Sequence, residues 1–479
     1  MRIRYVLLPL VFLFVSCSEA TKERFDLVVQ NGNVIDLETG AIHEQTIFIS
    51  NGRIKKMMTS DGNIPFEATK TIDASGKYIL PGFWDNHVHF RGGDSLIKAN
   101  KNFLNLFIAN GITTVRDAGG DLTTSVMKWK TEIAEGNLIG PTIFTSGPKI
   151  DGPGATWAGS LEVETEADIQ KALDSLERIP TDFVKFYDSS ISGELYLKTI
   201  AEAEKRNRIT SGHMPFTVRL AETVDSGIDA IEHLYYVMKG CASNEKEVTQ
   251  QLRDDEIGFW DAMPLLMAGY QDTTAQKTFS HLKENDVYVV PTLHIGKTLS
   301  YLDEVDHSKD AYLKYMSDGI IRTYEGRVNR VKNSSEKAIA DRKALDAFFG
   351  ELTKKLDDAG VGLLAGSDSG AYNSYTYPGI SLHQELQEMV ANGLSPLDAL
   401  RTSAYNGARF LKQDQDHGTI AEGKIADLVL LDANPLDNIE HTKAIFGVIT
   451  KGKTYSKEQL NELLETADHS PDSPSKGES

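Results

Sequence analysis

The feature that most constrains the fold of this chain is a repeat of short apolar runs, each followed by a helical pattern. Eight such runs lie in the central part of the sequence: GFWDNHVHF, GITTVRD, TIFTSG, DFVKFYD, RITSGH, GIDAIEH, VYVVPTLH and VGLLAGSD. The helical stretch DIQKALDSLER follows the third run, and ELYLKTIAEAEKR follows the fourth. This alternation predicts parallel βαβ units. Eight units predict a (β/α)8 TIM barrel over residues 81–415, with residues 239–285 as a lid over its mouth.

The two segments that flank this repeat have a different character. Residues 25–80 contain short β-like runs separated by the turn signals Asn31-Gly32 and Asn51-Gly52, and residues 416–455 have the same texture. We therefore predict a mixed α/β protein in which both segments pair into one small β-sandwich beside the barrel. Residues 456–479, which end in the Ser- and Pro-rich HSPDSPSKGES, are predicted to form a disordered tail.

The N-terminal stretch MRIRYVLLPLVFLFVSC has two arginines, a short apolar core and small residues before Cys17. This pattern is typical of a secretory signal peptide over residues 1–17 and is too short for a spanning helix. The ending FVSC resembles a bacterial lipobox, in which the cysteine is lipidated; the alternative is an ordinary signal peptide cleaved near a cysteine. We favour a lipid-anchored lipoprotein of the cell envelope that faces the periplasm or the exterior. Its only membrane contact would be the lipid on Cys17.

The formal net charge of the chain is −19. Nucleic-acid binding requires a basic surface, so this acidity argues against a nucleic-acid partner. The expected partner is a small-molecule substrate, and the sequence leaves homo-oligomerisation open.

Chemically reactive residues cluster at the ends of the predicted strands. The first strand ends in His87-Val88-His89, and alternate residues of a strand point to one face. Four other strands contribute one residue each: Lys185 in strand four, His213 in strand five, His233 in strand six and Asp368 in strand eight. The chemistry of a TIM barrel lies at these C-terminal strand ends. An HxH pair alone is weak, but the whole set predicts a metal site.

Lys185 lies in the middle of an apolar strand. Strand alternation puts Phe183, Lys185 and Tyr187 on one face, opposite Val184 and Phe186. A lysine is rarely buried without a partner, and burial disfavours its ammonium form and lowers its pKa. The neutral amine is a nucleophile that can take up carbon dioxide as a carbamate, whose two oxygens can bridge two cations. The sequence therefore predicts a bridging role for Lys185.

This set of residues resembles the binuclear metal-dependent amidohydrolase superfamily over roughly residues 25–455. The stretches LPGFWDNHVH and NGARFLKQDQDHGTIAEGKIADLVLLDANP carry the same resemblance. The resemblance implies two divalent metal ions, expected to be zinc, bridged by a CO2-derived carbamate on Lys185. One ion would be bound by His87, His89 and Asp368, and the other by His213 and His233.

Within the superfamily, the stretches VKFYD, SGHM, IEHL and PGISLHQELQEMVANGLSPLDALRTSAYNGARFL look most like the zinc (Xaa-Pro) dipeptidase and imidazolonepropionase-like branch. This implies hydrolysis of an amide-type C–N bond, in an Xaa-Pro-like dipeptide or an N-acyl amino acid, by a metal-bridging hydroxide. Asp368 would act as general base and then general acid. Deaminases of the superfamily carry a glutamate two residues after the strand-five histidine, where this chain has Pro215.

Tyr187, Tyr235 and His294 are the candidate substrate-binding residues, because each lies at or near a predicted strand end. The sequence alone does not identify an arginine that would bind a substrate carboxylate. Three alternatives therefore stay open: a lactonase or phosphotriesterase, a cyclic amidase on the same scaffold, and a non-catalytic binding lipoprotein. The last alternative predicts decayed metal ligands, whereas all six are present in this chain.

Overall fold

The computed structural model describes residues 22–59 and 65–469. The predicted signal peptide with Cys17 and the last ten residues of the predicted tail lie outside the described residues, so the lipid anchor stays a prediction. The described strands, numbered in chain order, are β1 Glu23–Ile35, β2 Ile42–Ser50, β3 Arg53–Thr59, β4 Phe66–Asp73, β5 Tyr78–Pro81, β6 Phe83–Val88, β7 Ile112–Asp117, β8 Thr142–Thr145, β9 Ile150–Asp151, β10 Leu161–Glu162, β11 Val184–Phe186, β12 Thr210–Gly212, β13 Ala230–Glu232, β14 Tyr288–Val290, β15 Leu428–Leu431, β16 Ile445–Thr450 and β17 Lys453–Ser456.

The α-helices, numbered in the same way, are α1 Ile97–Ala109, α2 Thr123–Ala134, α3 Glu166–Arg178, α4 Gly193–Lys205, α5 Leu220–Asp225, α6 Tyr235–Gly240, α7 Glu245–Arg253, α8 Phe259–Ala268, α9 Asp272–Glu284, α10 Leu293–Ser300, α11 Asp318–Lys332, α12 Glu336–Ala359, α13 Ser381–Ala391, α14 Pro396–Leu400, α15 Asn406–Phe410 and α16 Lys457–Ala467. A π-helical turn, Arg401–Tyr405, joins α14 to α15. Short 3-10 helices span Asp94–Leu96, His307–Lys309, Leu313–Tyr315 and Ile439–Lys443. Within the described residues, no helix is long and apolar enough to cross a membrane.

The N-terminal and C-terminal β segments form one eight-stranded sheet. Its order is β17-β16-β15-β5-β1-β2-β3, with β4 also paired to β1. Hydrogen bonding joins all eight strands, because β1 has 13 residues and pairs along both of its edges. That this sheet folds into a sandwich stays a prediction. It pairs with β2 in antiparallel orientation on one edge, and with β4 and β5 in parallel orientation on the other. The C-terminal strands join this sheet through β15, which pairs antiparallel with β5.

The central strands are all parallel to their neighbours. They form a three-stranded sheet, β6-β7-β8, and a six-stranded sheet, β10-β9-β11-β12-β13-β14. Seven of the eight apolar runs seen in the sequence contain one of these strands. The strand–helix alternation of the central region is therefore present, with the carboxyl ends of parallel strands available for a site.

The eighth run, residues 361–368, is an irregular extended segment that lies between β14 and β6. A bridge joins Val289 to Leu363 on one side, and a second joins Val88 to Ser369 on the other. The Asp368 backbone N–H donates to the His87 carbonyl at 2.7 Å. Gly366 passes so close to β6 that an added Cβ would lie 2.5 Å from the His87 Cβ. This close approach requires glycine and brings Asp368 beside the end of β6.

The two faces of β11 are buried differently. Val184 and Phe186 join the main core with the outer helices, and the Phe186 ring lies 5.4 Å from the Tyr196 ring of α4. Phe183 belongs to a separate cluster with Trp84 and Leu364, among the strands. Lys185 therefore points away from the helices, as strand alternation predicts.

Three helices, α7, α8 and α9, occupy most of the segment predicted to be a lid. Tyr235 packs on Phe259 of α8, with ring centroids 5.4 Å apart, and on Phe349 of α12 at 5.0 Å. The segment after His233 is thus in contact with these helices. Whether they close over a substrate stays a prediction.

The prediction of a disordered tail was wrong for residues 457–467, which form α16. Ser456 caps this helix, since its hydroxyl oxygen accepts from the Gln459 backbone N–H at 3.4 Å, and its own backbone N–H donates to Gln459 Oε1 at 3.0 Å. Leu460, Leu463 and Ala467 are buried, and α16 packs against α1. The apolar residues of KEQLNELLETA recur at helical spacing, which is typical of an amphipathic helix. The prediction of disorder rested on the polar composition of the whole tail and did not consider this spacing.

Candidate active site

Three acceptor atoms converge at the end of β6. His87 Nε2 lies 3.2 Å from His89 Nε2 and 3.5 Å from Asp368 Oδ1, and His89 Nε2 lies 3.2 Å from the same Asp368 oxygen. All three side chains are buried. Alternation along β6 puts both imidazoles on one face, and the irregular eighth segment supplies the carboxylate.

The hydrogen bonds made by Nδ1 of His87 and His89 determine which nitrogen of each imidazole carries the proton. His89 Nδ1 lies 2.8 Å from the Gly119 carbonyl, which can only accept, so Nδ1 is the donor. His87 Nδ1 donates to Glu232 Oε2 at 2.5 Å. Both Nε2 atoms therefore present lone pairs to one another and to Asp368. Three acceptors this close together repel one another unless a cation lies between them.

The spacing of the three atoms suits a metal ion. Nitrogen and oxygen ligands of a tetrahedral zinc ion lie about 3.3 Å from one another, because each is about 2.0–2.1 Å from the metal. The observed separations of 3.2–3.5 Å match that value. Burial opposes ionisation of the Asp368 carboxyl, and a cation bound between the three atoms would favour its carboxylate form. The carboxylate is the form that binds a metal.

His213 and His233, which follow β12 and β13, form a second pair beside the first. Their ring centroids are 4.8 Å apart, and the His233 ring is 5.2 Å from the His87 ring. His213 Nδ1 donates to Asp188 Oδ1 at 3.1 Å, and His233 Nδ1 donates to Thr292 Oγ1 at 2.6 Å. All four histidines thus have Nδ1 engaged and Nε2 left for a ligand, which is the arrangement of metal-binding histidines.

The backbone is strained at two of these positions. His233 has φ 68° and Asp368 has φ 52°, both in the left-handed region. A residue with a Cβ pays roughly 1–2 kcal/mol there. The strain turns each side chain out of the regular strand direction and towards the other ligands. Such outliers cluster at functional sites.

Lys185 lies beside Glu232, the carboxylate that accepts from His87. Its side chain is buried, and Nζ lies 3.4 Å from Glu232 Oε1 without a hydrogen-bond partner among the described residues. Burial lowers the pKa of the Lys185 ammonium to about 8, although the Glu232 carboxylate opposes the shift. A buried amine that is not engaged in hydrogen bonds is suited to form a bridging carbamate. That role of Lys185 stays a prediction.

Glu232 is a site residue that the sequence reasoning missed. Besides His87, it accepts hydrogen bonds from Arg116 Nη2 at 2.9 Å and from the Ser211 hydroxyl. Burial would raise the pKa of the Glu232 carboxyl, but the charges of Arg116, Lys185 and His87 outweigh it and hold the pKa well below its usual range. A signal existed, because Ile231 faces the helices and the next residue must then face inward.

Asp85 is a second missed residue, two positions before His87 on the same face of β6. It accepts from the Ser367 backbone N–H at 2.9 Å and from the Ser367 hydroxyl at 2.6 Å. Burial raises the pKa of the Asp85 carboxyl to about 7. These bonds hold the segment that carries Asp368, so Asp85 positions a ligand without being one.

The three candidate substrate residues lie in different surroundings. The Tyr187 ring is 4.4 Å from the His213 ring and therefore borders the site. Tyr235 packs on α8 and α12. The His294 backbone N–H donates to Glu385 at 2.7 Å, and burial lowers the pKa of its imidazole to about 3. Of the three, Tyr187 has a ring contact with a predicted metal ligand.

Parallel strands that carry histidines and a carboxylate at their carboxyl ends define a metal-binding hydrolase of the α/β class. The chain belongs to the amidohydrolase family, whose family model matches residues 78–455. Members of this family usually bind divalent metals. The family and the hydrolases that resemble this chain support an enzyme that hydrolyses C–N bonds.

Two curated relatives resemble this chain over very different lengths. Adenine deaminase of Listeria monocytogenes is 38% identical over 94 residues, which are 20% of this chain and only 15% of that protein. Ochratoxinase of Aspergillus niger is 21% identical over 497 residues, covering 91% of this chain and 88% of that protein. The stronger identity is therefore local, and the weaker one extends over nearly the whole chain.

Solved structures resemble the chain over most of its length. Bottromycin amidohydrolase superposes with a TM-score of 0.72 at 19% identity, covering 92% of this chain and 89% of that one. A putative prolidase from Bifidobacterium longum superposes with a TM-score of 0.65 at 21% identity, covering 92% and 98%. These likenesses imply a TIM-barrel fold with an additional domain.

Proposed function

We propose that this protein hydrolyses the amide bond of an Xaa-Pro-like dipeptide or an N-acyl amino acid with the help of two divalent ions, expected to be zinc. The observation that carries the proposal is the convergence of His87 Nε2, His89 Nε2 and Asp368 Oδ1 at 3.2–3.5 Å, with both Nδ1 atoms already used. His213 and His233 would hold the second ion. Lys185, as a carbamate, would bridge the two.

The metal ions would lower the pKa of a water molecule and polarise the scissile carbonyl. The protein's own residues then have separate tasks. Asp368 accepts the proton of the attacking water and delivers it to the leaving amine, as general base and then general acid. Glu232 and Gly119 hold the two imidazoles of the HxH pair in orientation through Nδ1.

Several observations favour amide hydrolysis over the other reactions of similar scaffolds. An Xaa-Pro dipeptidase and a putative prolidase are among the solved structures that share the fold. Pro215 follows His213 by two residues and offers no group for proton transfer, where deaminases of the superfamily carry a glutamate. We also propose that the central strands close into a barrel, because residues 361–369 bond to both β14 and β6.

A substrate panel tests the proposal. Purified enzyme with bound metal is assayed on Xaa-Pro dipeptides, N-acyl amino acids, lactones and phosphotriesters. We expect turnover of one of the first two classes, lowered about 10²–10⁴-fold in Asp368→Asn, which keeps the shape of the side chain but removes the base. Turnover confined to lactones or phosphotriesters would contradict the amidase proposal.

A further inference from the structure

Among the described residues, two buried cations beside the candidate metal site form no ion pair with a carboxylate. The Lys149 side chain is 2% exposed and the Arg91 side chain 4% exposed. Lys149 Nζ makes no hydrogen bond, and neither residue forms an ion pair with a carboxylate in the part of the chain that the structure describes. Buried charges in proteins are nearly always paired. The pair of cations therefore needs an explanation.

Both cations pack on one indole ring. Arg91 Cζ lies 4.0 Å from the centre of the Trp157 ring, and Lys149 Nζ lies 4.7 Å from it. Lys149 Nζ is also 5.5 Å from the centre of the Tyr187 ring. We call the group formed by Arg91, Lys149, Trp157 and Tyr187 the Lys149 pocket. It combines positive charge with flat apolar surfaces.

The Lys149 pocket borders the ligands of both proposed metals. Arg91 follows His89 by two residues at the end of β6. On the other side, the Tyr187 ring lies 4.4 Å from the His213 ring. A group bound to Lys149 and Arg91 would thus be next to a bond that is cleaved at the metal site.

The guanidinium of Arg91 is held in place. The Arg91 backbone N–H donates to Asn100 Oδ1 at 3.1 Å, and Asn100 Nδ2 donates back to the Arg91 carbonyl at 3.1 Å. Arg91 Nε donates to the Ala371 carbonyl at 2.8 Å. A guanidinium has five N–H donors, and this bond uses one of them. The remaining donors are available on a fixed group.

Cation–π contacts with Trp157 alone do not account for this arrangement. Burial lowers the pKa of Lys149 well below its usual range, which disfavours the ammonium form. A neutral Lys149 would still leave a buried amine without a hydrogen-bond partner. The Arg91 guanidinium is charged at neutral pH. An anion would satisfy both groups at once.

We propose that the Lys149 pocket binds the free α-carboxylate of the substrate's leaving amino acid, with Lys149 Nζ and Arg91 each donating to it. In a dipeptide or an N-acyl amino acid this carboxylate is attached to the same Cα as the scissile nitrogen. The receptor for it must therefore adjoin the metal ligands, as the Lys149 pocket does. The inference rests on the proposed function and narrows it to substrates with a free C-terminal carboxylate.

Matched substrates test the inference. The best substrate of the panel and its C-terminal carboxamide are compared by kcat/KM in the metal-loaded wild type, in Lys149→Met and in Arg91→Met. Methionine keeps the length and packing of the lysine but lacks its charge. Lys128→Met, on the exposed side of α2, is the control because that side chain is 73% exposed. Thermal melting and metal content establish that each variant is folded and loaded.

We expect the ratio of kcat/KM for the acid over the carboxamide to fall about 10- to 100-fold in Lys149→Met and Arg91→Met, and to stay constant in Lys128→Met. An unchanged ratio in Lys149→Met, or equal hydrolysis of acid and carboxamide by the wild type, would overturn the inference while leaving amide hydrolysis intact.

Binding by calorimetry separates this inference from the proposed function. L-Proline, L-prolinamide and inorganic phosphate are titrated into wild type and Lys149→Met. If no amide is hydrolysed, the proposed function fails. The carboxylate pocket is still supported if the wild type binds L-proline at least about 10-fold more tightly than Lys149→Met does. Binding of phosphate but not of L-proline contradicts it, and so does L-proline binding that the substitution leaves unchanged.

Discussion

At the scale of single residues, Lys185 is the most discriminating side chain in the candidate site. It is buried, and its Nζ lies 3.4 Å from Glu232 Oε1 and has no hydrogen-bond partner in the described part of the chain. Burial lowers the pKa of its ammonium to about 8, whereas Glu232 favours the charged form. These opposing effects leave a share of neutral amine that can react with carbon dioxide.

Replacing Lys185 by alanine should remove the bridge between the two metal ions. We expect kcat/KM to fall at least about 100-fold and the metal content to drop, because a lost ligand weakens both ions. Short-chain carboxylates should restore part of the activity by taking the place of the carbamate. Elemental analysis and kinetics measure both effects, with Lys128→Ala as the exposed control. Full activity with both metals in Lys185→Ala would exclude the carbamate.

Arg116 should be critical for stability, since it is the main counter-charge of Glu232. It donates to Glu232 at 2.9 Å, to the Ser211 hydroxyl at 2.9 Å and to the Asn86 carbonyl at 2.5 Å, and it is fully buried. Arg116→Met leaves a buried carboxylate without its partner, so the free energy of unfolding should fall by about 3–5 kcal/mol.

Urea unfolding measures the effect of Arg116→Met. Arg24→Met is the matched control, because Arg24 is 84% exposed in its ion pair with Glu67. Exposed ion pairs contribute little, so this variant should unfold like the wild type. Equal stability of the two variants would show that the buried network around Glu232 is dispensable.

The residues that the sequence predicts are those whose strand position alone determines their direction. His87, His89 and Lys185 belong to this group, since alternation along an apolar strand sets the face to which each side chain points. Asp368 is predicted from its place at the end of the eighth run, but its direction follows from the irregular segment that carries it. Strand alternation puts the side chains of Asp85 and Glu232 on the inward face, but it does not identify their partners. The bonds that Asp85, Glu232 and Arg116 form depend on which atoms of neighbouring strands meet, and no pattern within one strand contains that information. Lys149 lies between β8 and β9, outside any periodic pattern.

At the scale of elements, the eight apolar runs were visible because parallel strands between helices are continuously apolar. The eighth was expected to be a strand like the others, and it is irregular. Gly366 lets it approach His87 closely, and Asp368 adopts a left-handed φ of 52°. Hydrogen bonds from Ser367 to Asp85 hold this conformation. Sequence patterns do not encode such a tertiary approach.

Helix α16 was missed for another reason, since its short apolar stripe lies inside a polar terminal segment. Leu460 is 1% exposed in the contact with α1. Leu460→Ala should therefore lower the free energy of unfolding by about 2–5 kcal/mol, as for other buried leucines. Glu462→Ala, at an exposed position of the same helix, should change it little. A Leu460→Ala variant as stable as Glu462→Ala would contradict the packing of α16.

At the scale of the whole molecule, the two ends of the described chain meet in one sheet. Strand β5 pairs with β15, so Pro81, which precedes the central region in the sequence, lies opposite Leu428, which follows it. Local β-like texture predicted strands in both segments. It did not predict a single sheet, because that depends on β1 pairing along both of its edges. Such distant pairing closes a long loop and is slow to form.

The account as a whole depends on metal ions held by the strand-end residues. Elemental analysis of the purified full chain, before and after chelation, tests this most directly. We predict about two divalent ions per chain, loss of amide hydrolysis on their removal and recovery on their return. A protein that retains full activity without any bound metal would contradict the central claim.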